Sequence, residues 1–142
     1  MRNEITLSLP CDVAEIALAA EAVERFCDDN NIPPKIAFDF NLAIDELATN
    51  TILYSFEGTD GGELRLAFGL SGDGWVEARL DDNGAAYDPF TQAPPPVLEG
   101  GVEDRPIGGL GVYFVKKLMD EAVYRRENGW NRITLRRRLD RL

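Results

Sequence analysis

Ile5, Leu7 and Leu9 alternate with polar neighbours, the two-residue period of a half-buried strand, and Pro10 closes the run. The period then lengthens. Val13, Ile16, Ala20, Val23 and Cys27 recur at steps of three and four, which predicts an amphipathic helix over about 12–29 with Asp12 as a candidate N-cap. Pro33-Pro34 breaks the chain and opens a second helix, on which Ile36, Phe40, Ile44, Leu47 and Thr51 form one stripe. Gly58 and Gly61-Gly62 end it. Two strand-like runs follow, Glu63 to Leu70 and Trp75 to Leu80, joined by the hairpin-forming Ser71-Gly72-Asp73-Gly74.

After Asp81-Asp82-Asn83-Gly84 the periodicity fades from about 85 to 107, a stretch punctuated by prolines and glycines. A loop of that length within a compact domain is uncommon and tends to act as a lid or binding loop. Gly108-Gly109-Leu110-Gly111 then runs into Val112, Val115, Leu118 and Met119, spaced as a helix. Two last strands, about 121–127 and 131–138, flank the turn pair Asn128-Gly129. The order β-α-α-β-β-lid-α-β-β, with two hairpins and few crossovers, predicts an α+β fold. It is a two-layer sandwich in which a mixed, mostly antiparallel sheet carries helices on one face. The 142 residues, 44% of them hydrophobic, suffice for one domain with its own core, spanning 1–142.

Charge narrows the partners. The chain carries −10, yet residues 125–142 hold 7 arginines against 2 acids. An acidic body repels a phosphate backbone, so nucleic acid is not an expected partner. The late arginines alternate with apolar residues in Arg132-Ile133-Thr134-Leu135-Arg136, as on the solvated face of a strand. The absence of histidine excludes Ser-His-Asp and Cys-His catalysis, histidine-ligated zinc and a phosphoacceptor histidine within this chain. Cys11 and Cys27 are too far apart for a close-spaced metal motif and fit apolar helix positions. No apolar run has the length of a membrane span, and no basic-flanked apolar leader opens the chain, so a cytoplasmic setting is expected.

Three constellations carry possible chemistry. Glu46 and Asn50 stand one turn apart on one helix face. An Asn amide oxygen is a hard ligand for a Mg²⁺ ion that keeps most of its waters, and a carboxylate one turn away can accept a proton from the group attacking a γ-phosphate. A Glu and an Asn also share a helix face without any such role. Asp82-Asn83-Gly84 offers a carboxylate acceptor for an exocyclic amine and a glycine that lets a ring approach the backbone; it reads equally as an ordinary Asn-Gly turn. Gly108, Gly109, Leu110 and Gly111 open a helix whose first N–H groups can converge on an anion. No Gly-Lys-Ser/Thr follows, so this is not a Walker A loop. Arg105, the only basic residue in the lid, is a candidate phosphate contact.

Taken in order, Leu42-Ala-Ile-Asp-Glu-Leu-Ala-Thr-Asn50, Asp82-Asn-Gly-Ala-Ala-Tyr-Asp-Pro-Phe90, Ala93-Pro-Pro-Pro96 and Gly108-Gly-Leu-Gly-Val-Tyr-Phe-Val-Lys-Lys-Leu-Met-Asp120 resemble the GHKL (Bergerat-fold) ATP-binding family. The nearest likeness is to its anti-sigma factor serine kinases of the RsbW/SpoIIAB type. The resemblance implies ATP and Mg²⁺ as ligands, with Asn50 on the metal, Glu46 as catalytic base, Asp82 on the adenine amine and Gly84 beside the ring. It also implies Gly109 and Gly111 on phosphates and Thr134 near the adenine. As partners it implies a STAS-type anti-anti-sigma protein, a sigma factor and a possible homodimer. Tyr54 and Lys116 depart from the histidine and arginine frequent in that subgroup. An ATP-gated binding module without useful catalysis is the alternative reading.

Overall fold

The structure is a computed structural model that describes residues 2–56, 62–72, 74–93 and 109–139. Its elements are β1 (Arg2–Pro10), a 3₁₀ turn (Val13–Glu15), α1 (Ile16–Asp29), α2 (Pro34–Asn50), a π turn (Thr51–Ser55), β2 (Glu63–Ser71), β3 (Trp75–Asp82), α3 (Pro89–Gln92), α4 (Gly109–Leu118), β4 (Glu121–Glu127) and β5 (Trp130–Arg138). The strands form one sheet in the order β1-β2-β3-β5-β4. Every pairing is antiparallel, the limiting case of the mostly antiparallel sheet read from the hairpins.

Strand alternation decides which face is buried. Leu64, Leu66 and Phe68 on β2, Val76, Ala78 and Leu80 on β3, and Ile133 and Leu135 on β5 all point toward the helices. They meet Val23 and Phe26 of α1, Ile36, Phe40, Ile44 and Leu47 of α2, and Val112 and Val115 of α4. Phe68 sits between the edges of Phe26 and Phe40, at ring separations of 5.5 and 5.2 Å, both near-perpendicular. The predicted α2 stripe is thus the core face.

Two local departures have clear causes. Asp12 does cap, its carboxylate accepting from Ala14 N at 3.0 Å, but it caps the 3₁₀ turn. That tighter winding rotates Val13 out of the α1 stripe, and it is 52% exposed. Within the stretch read as aperiodic, Asp88 caps the one-turn α3 by accepting from Phe90 N at 2.9 Å, and Pro89 takes the first helical position, where a missing N–H costs nothing. The rest of the lid, with Arg105, and Gly108 lie outside the described residues.

One ion pair joins the two layers. Asp39 of α2, 1% exposed, meets Arg137 of β5, 6% exposed, and also accepts from Lys35 Nζ at 2.7 Å. Burial pushes the Asp39 carboxyl up, but the hydrogen bonds and charges of Lys35 and Arg137 outweigh it and hold the group below its ordinary range.

Candidate functional site

The last turn of α2 carries Glu46 and Asn50. Asn50 is fully buried, and its Nδ2 donates to Glu46 O at 2.8 Å, which fixes the amide with Oδ1 as the free acceptor. That Oδ1 and Glu46 Oε2 are buried oxygens with no hydrogen-bond partner among the described residues. A polar oxygen left so costs free energy unless a ligand completes it, and here two of them lie one helical turn apart. Burial, with a smaller push from Asp45, raises the Glu46 carboxyl above its ordinary pKa.

The N-terminal turn of α4 is seated against this pair. A Cβ built on Gly111 would overlap Glu46 Cγ and Cδ, so glycine is what lets the helix end approach the carboxylate. Gly109 begins α4 two residues earlier in the same turn, and Leu110 lies between them; Gly111→Ala should push α4 away. Overpacking of this kind costs about 1–3 kcal/mol, so the thermal midpoint should fall measurably. A variant melting with the parent would show that the glycine is not needed for close approach.

The second half of the site lies at the end of β3. Asp82 is 3% exposed. Its Oδ1 accepts from Gly84 N at 3.0 Å, from Ser55 Oγ at 3.0 Å and from Asn131 Nδ2 at 2.8 Å. All three donors fall on one oxygen, and among the described residues none bonds to Oδ2. Burial pushes the Asp82 carboxyl up, opposed by those three bonds and by the charge of Arg126. The carboxylate is therefore oriented, with one oxygen held and one left to accept. Gly84 packs so closely on Ser55 and Phe56 that a side chain there would overlap Ser55.

Ser55 and Asn131 were not singled out in the sequence. Ser55 ends the π turn that continues α2, and its single hydroxyl proton is shared between Asp82 Oδ1 and Ala85 O, the latter at 2.7 Å. The extra residue per turn swings Ser55 off the α-helical track and onto Asp82; π segments of this kind recur at functional sites. Asn131, 1% exposed, pairs with Asp82 across β3 and β5. Its amide also reaches Ala85 O at 2.9 Å, while its Oδ1 accepts from Tyr124 Oη at 2.5 Å and Arg126 Nη1 at 3.2 Å. Arg126 Nη1 donates as well to Gly84 O at 2.7 Å, closing the loop around the carboxylate. Tyr54, on the π turn, stacks on Tyr87 at 5.2 Å beside these groups.

Thr134 does not join them. Leu80 pairs with Ile133 and Arg79 with Thr134, so Thr134 lies on the solvent-side face with Arg132 and Arg136. The β5 residue beside Asp82 is Asn131. The structure thus brings Glu46, Asn50 and Gly111 into one cluster and Asp82, Gly84, Ser55 and Asn131 into another, linked by the π turn.

Orphaned Asn50 and Glu46 oxygens, a glycine-lined helix end and an oriented carboxylate with one open oxygen fit a nucleotide triphosphate with a hard divalent cation. Among the described residues no group of three or more acidic or cysteine side chains is placed to hold a metal ion.

Residues 9–137 match the family described as the histidine kinase-like ATPase domain. A serine-protein kinase RsbW of Listeria monocytogenes serotype 4a is 28% identical over 125 residues, covering 86% of this chain and 79% of the relative. The serine/threonine-protein kinase BtrW of Bordetella bronchiseptica is 33% identical over 101 residues, 71% of this chain and 70% of the relative. An RsbW of Bacillus cereus is 32% identical over 131 residues, 89% of this chain and 80% of the relative. The fold matches a crystal structure of the RsbU and RsbW domains of a Mycobacterium tuberculosis protein, with a TM-score of 0.65 at 18% identity. That match covers 95% of this chain and 31% of the larger one. A histidine kinase domain of a blue-light activated kinase from Erythrobacter litoralis has a TM-score of 0.57 at 17% identity, over 92% of this chain and 62% of that one.

Proposed function

This chain belongs to the histidine kinase-like ATPase family and, with its RsbW and BtrW relatives, to the protein serine/threonine kinases in it; from that premise we propose what it phosphorylates and how. Its substrate is a serine hydroxyl on a STAS-type anti-anti-sigma protein, and in its alternate state it sequesters a sigma factor. No helix among the described residues is long and apolar enough to cross a membrane.

The observation that carries this reading is the pair of buried oxygens on Glu46 and Asn50, without a partner among the described residues, against the glycine end of α4. Bound ATP and Mg²⁺ supply the γ-phosphoryl group and the charge that screens it. Asn50 Oδ1 offers the metal its protein oxygen. The backbone at Gly109 and Gly111 takes phosphate oxygens. Asp82 Oδ2 accepts from the adenine amine, with Gly84 beside the ring and Asn131 and Ser55 holding Oδ1. Glu46 accepts the proton of the attacking serine hydroxyl, a task suited to a carboxylate raised by burial above its ordinary pKa. Incubation with labelled ATP and a candidate STAS protein tests the whole. Phosphoserine on the partner supports it, whereas tight ATP binding with no transfer would favour a nucleotide-gated binding module.

The two halves are separable by calorimetry. Asp82→Asn turns a donor toward the adenine amine and should weaken both adenosine and ATP, by about 1–3 kcal/mol or roughly ten- to a hundredfold. Asn50→Ala should weaken Mg²⁺-dependent ATP binding and spare adenosine, which has no phosphate for the metal to bridge. Equal losses for both ligands in Asn50→Ala would assign that residue to the fold alone.

A further inference from the structure

The molecule's acidity is not evenly exposed. On the solvent face of the sheet Arg65, Arg79, Arg132 and Arg136 are paired with Glu63, Glu4, Asp81, Glu77 and Glu121, so that face is locally balanced. Among the described residues, α1 and α2 carry Glu21, Glu24, Asp28, Asp29, Asp39, Asp45 and Glu46 against Arg25 and Lys35. A groove of about 980 Å³ runs along the seam of α1 and α2. A smaller cavity of about 220 Å³ continues it toward Val13, and the two share Ala20, Asn41 and Asp45. Together they follow the 14 residues of α1, about 21 Å of helix.

The groove is apolar within and acidic at its rim. Phe38 and Leu42, one turn apart on α2, are 64% and 40% exposed and line the groove together with the buried Ala37. Glu24, Asp28 and Asp45 supply the rim, and no lysine or arginine is among the described lining residues. At the middle, Asn41 Nδ2 donates to Ala20 O at 3.3 Å while its Oδ1 has no partner among the described residues. An apolar floor, a carboxylate rim and an unmatched acceptor call for a partner that is apolar on one side and rich in N–H donors and positive charge on the other.

We propose that the α1–α2 groove is a docking surface for a basic amphipathic helix of a partner protein, whose apolar face covers Phe38 and Leu42 and whose lysines or arginines meet Glu24, Asp28 and Asp45. A second copy of this chain is a poor occupant, because groove-to-groove contact would set two acid rims against each other. The groove shares no residue with the nucleotide site, although the charge of its Asp45 reaches Glu46, and the peptide-binding test does not depend on the proposed catalysis.

The test uses the full chain and a fluorescein-labelled peptide of about 18 residues, leucine and lysine at helical spacing, long enough to follow the groove. Fluorescence anisotropy should give saturable, salt-sensitive binding at one peptide per chain. The double variant Phe38→Ser/Leu42→Ser keeps every charge and should lose about tenfold or more in affinity. Glu24→Gln/Asp28→Asn/Asp45→Asn should lose a similar factor at low salt and little at high salt. ATP binding by both variants shows that the fold survives. A leucine/glutamate counterpart should not bind. The proposal is overturned by binding that ignores the serine variant, which is bulk charge attraction. Absence of binding overturns it too, as does a concentration-dependent dimer in sedimentation that the serine variant abolishes, which would make a second copy the occupant.

Discussion

Glu46→Gln should reduce serine phosphorylation by about a hundredfold to ten-thousandfold, the range spanned by removal of a general base, while leaving ATP affinity nearly intact. Glutamine keeps the shape that packs on Gly111 and removes only the capacity to take a proton. Single-turnover transfer from labelled ATP separates this from a binding defect, because nucleotide is saturating throughout. The pH profile adds a second check. A base must be unprotonated, and burial with Asp45 holds Glu46 above the ordinary carboxylate range. The rate should therefore fall as the medium is acidified through a pKa higher than that of an exposed glutamate, and it should level off above it. Asp45→Asn removes the charge that adds to the rise, so the acid limb should shift to lower pH. A flat profile in the parent, or a Glu46→Gln enzyme with parental turnover, would remove Glu46 from the chemistry.

The largest stability loss is expected at a residue remote from both ligands. Asp39→Ala removes the carboxylate that meets Arg137 between the layers, and breaking a buried pair from one side costs about 3–5 kcal/mol. Asp39→Leu combined with Arg137→Met should cost much less than the single change, since it removes both charges and keeps the volume. Denaturant unfolding of Asp39→Leu, Arg137→Met and the double completes the cycle, and additive losses would contradict a coupled pair. The same pair sets an acid limb. Because the folded Asp39 carboxyl is held below its ordinary value, its contribution is full above the unfolded pKa and is lost as pH falls through the folded one. In Asp39→Asn that acid-dependent component should vanish.

Much of this was legible in the residues because simple periods govern it. The stripe Ile36–Phe40–Ile44–Leu47 could only be a core face, and the two hairpins fixed antiparallel pairing. The glycine run could be placed at a helix start, and Gly111 does abut Glu46. Three features lay beyond that reach. The π turn is a matter of one residue's winding, which no apolar spacing marks, so nothing in the pattern sets Ser55 apart within a helix read as running to Gly58. The 3₁₀ turn at Val13 likewise leaves no trace in a pattern read at 100° per residue. Thr134 differs, because the information was present. Ile133 and Leu135 face the core, so a count by twos puts Asn131 inward beside Asp82 and Thr134 outward. Placing Thr134 by its likeness to a family position overrode the strand's own alternation.

Asn50 and Ser55 stand at the two ends of the π segment, the first bearing the oxygen assigned to the metal and the second steadying the carboxylate assigned to the base. Losing or gaining a single residue between them would turn Ser55 by about 100° around the axis, and no side-chain substitution could restore both ends. Over generations this stretch is thus free to change its letters but not its length. Insertions and deletions tolerated in surface turns should be purged here, and affinity for the metal and selectivity for the base should drift together rather than one at a time.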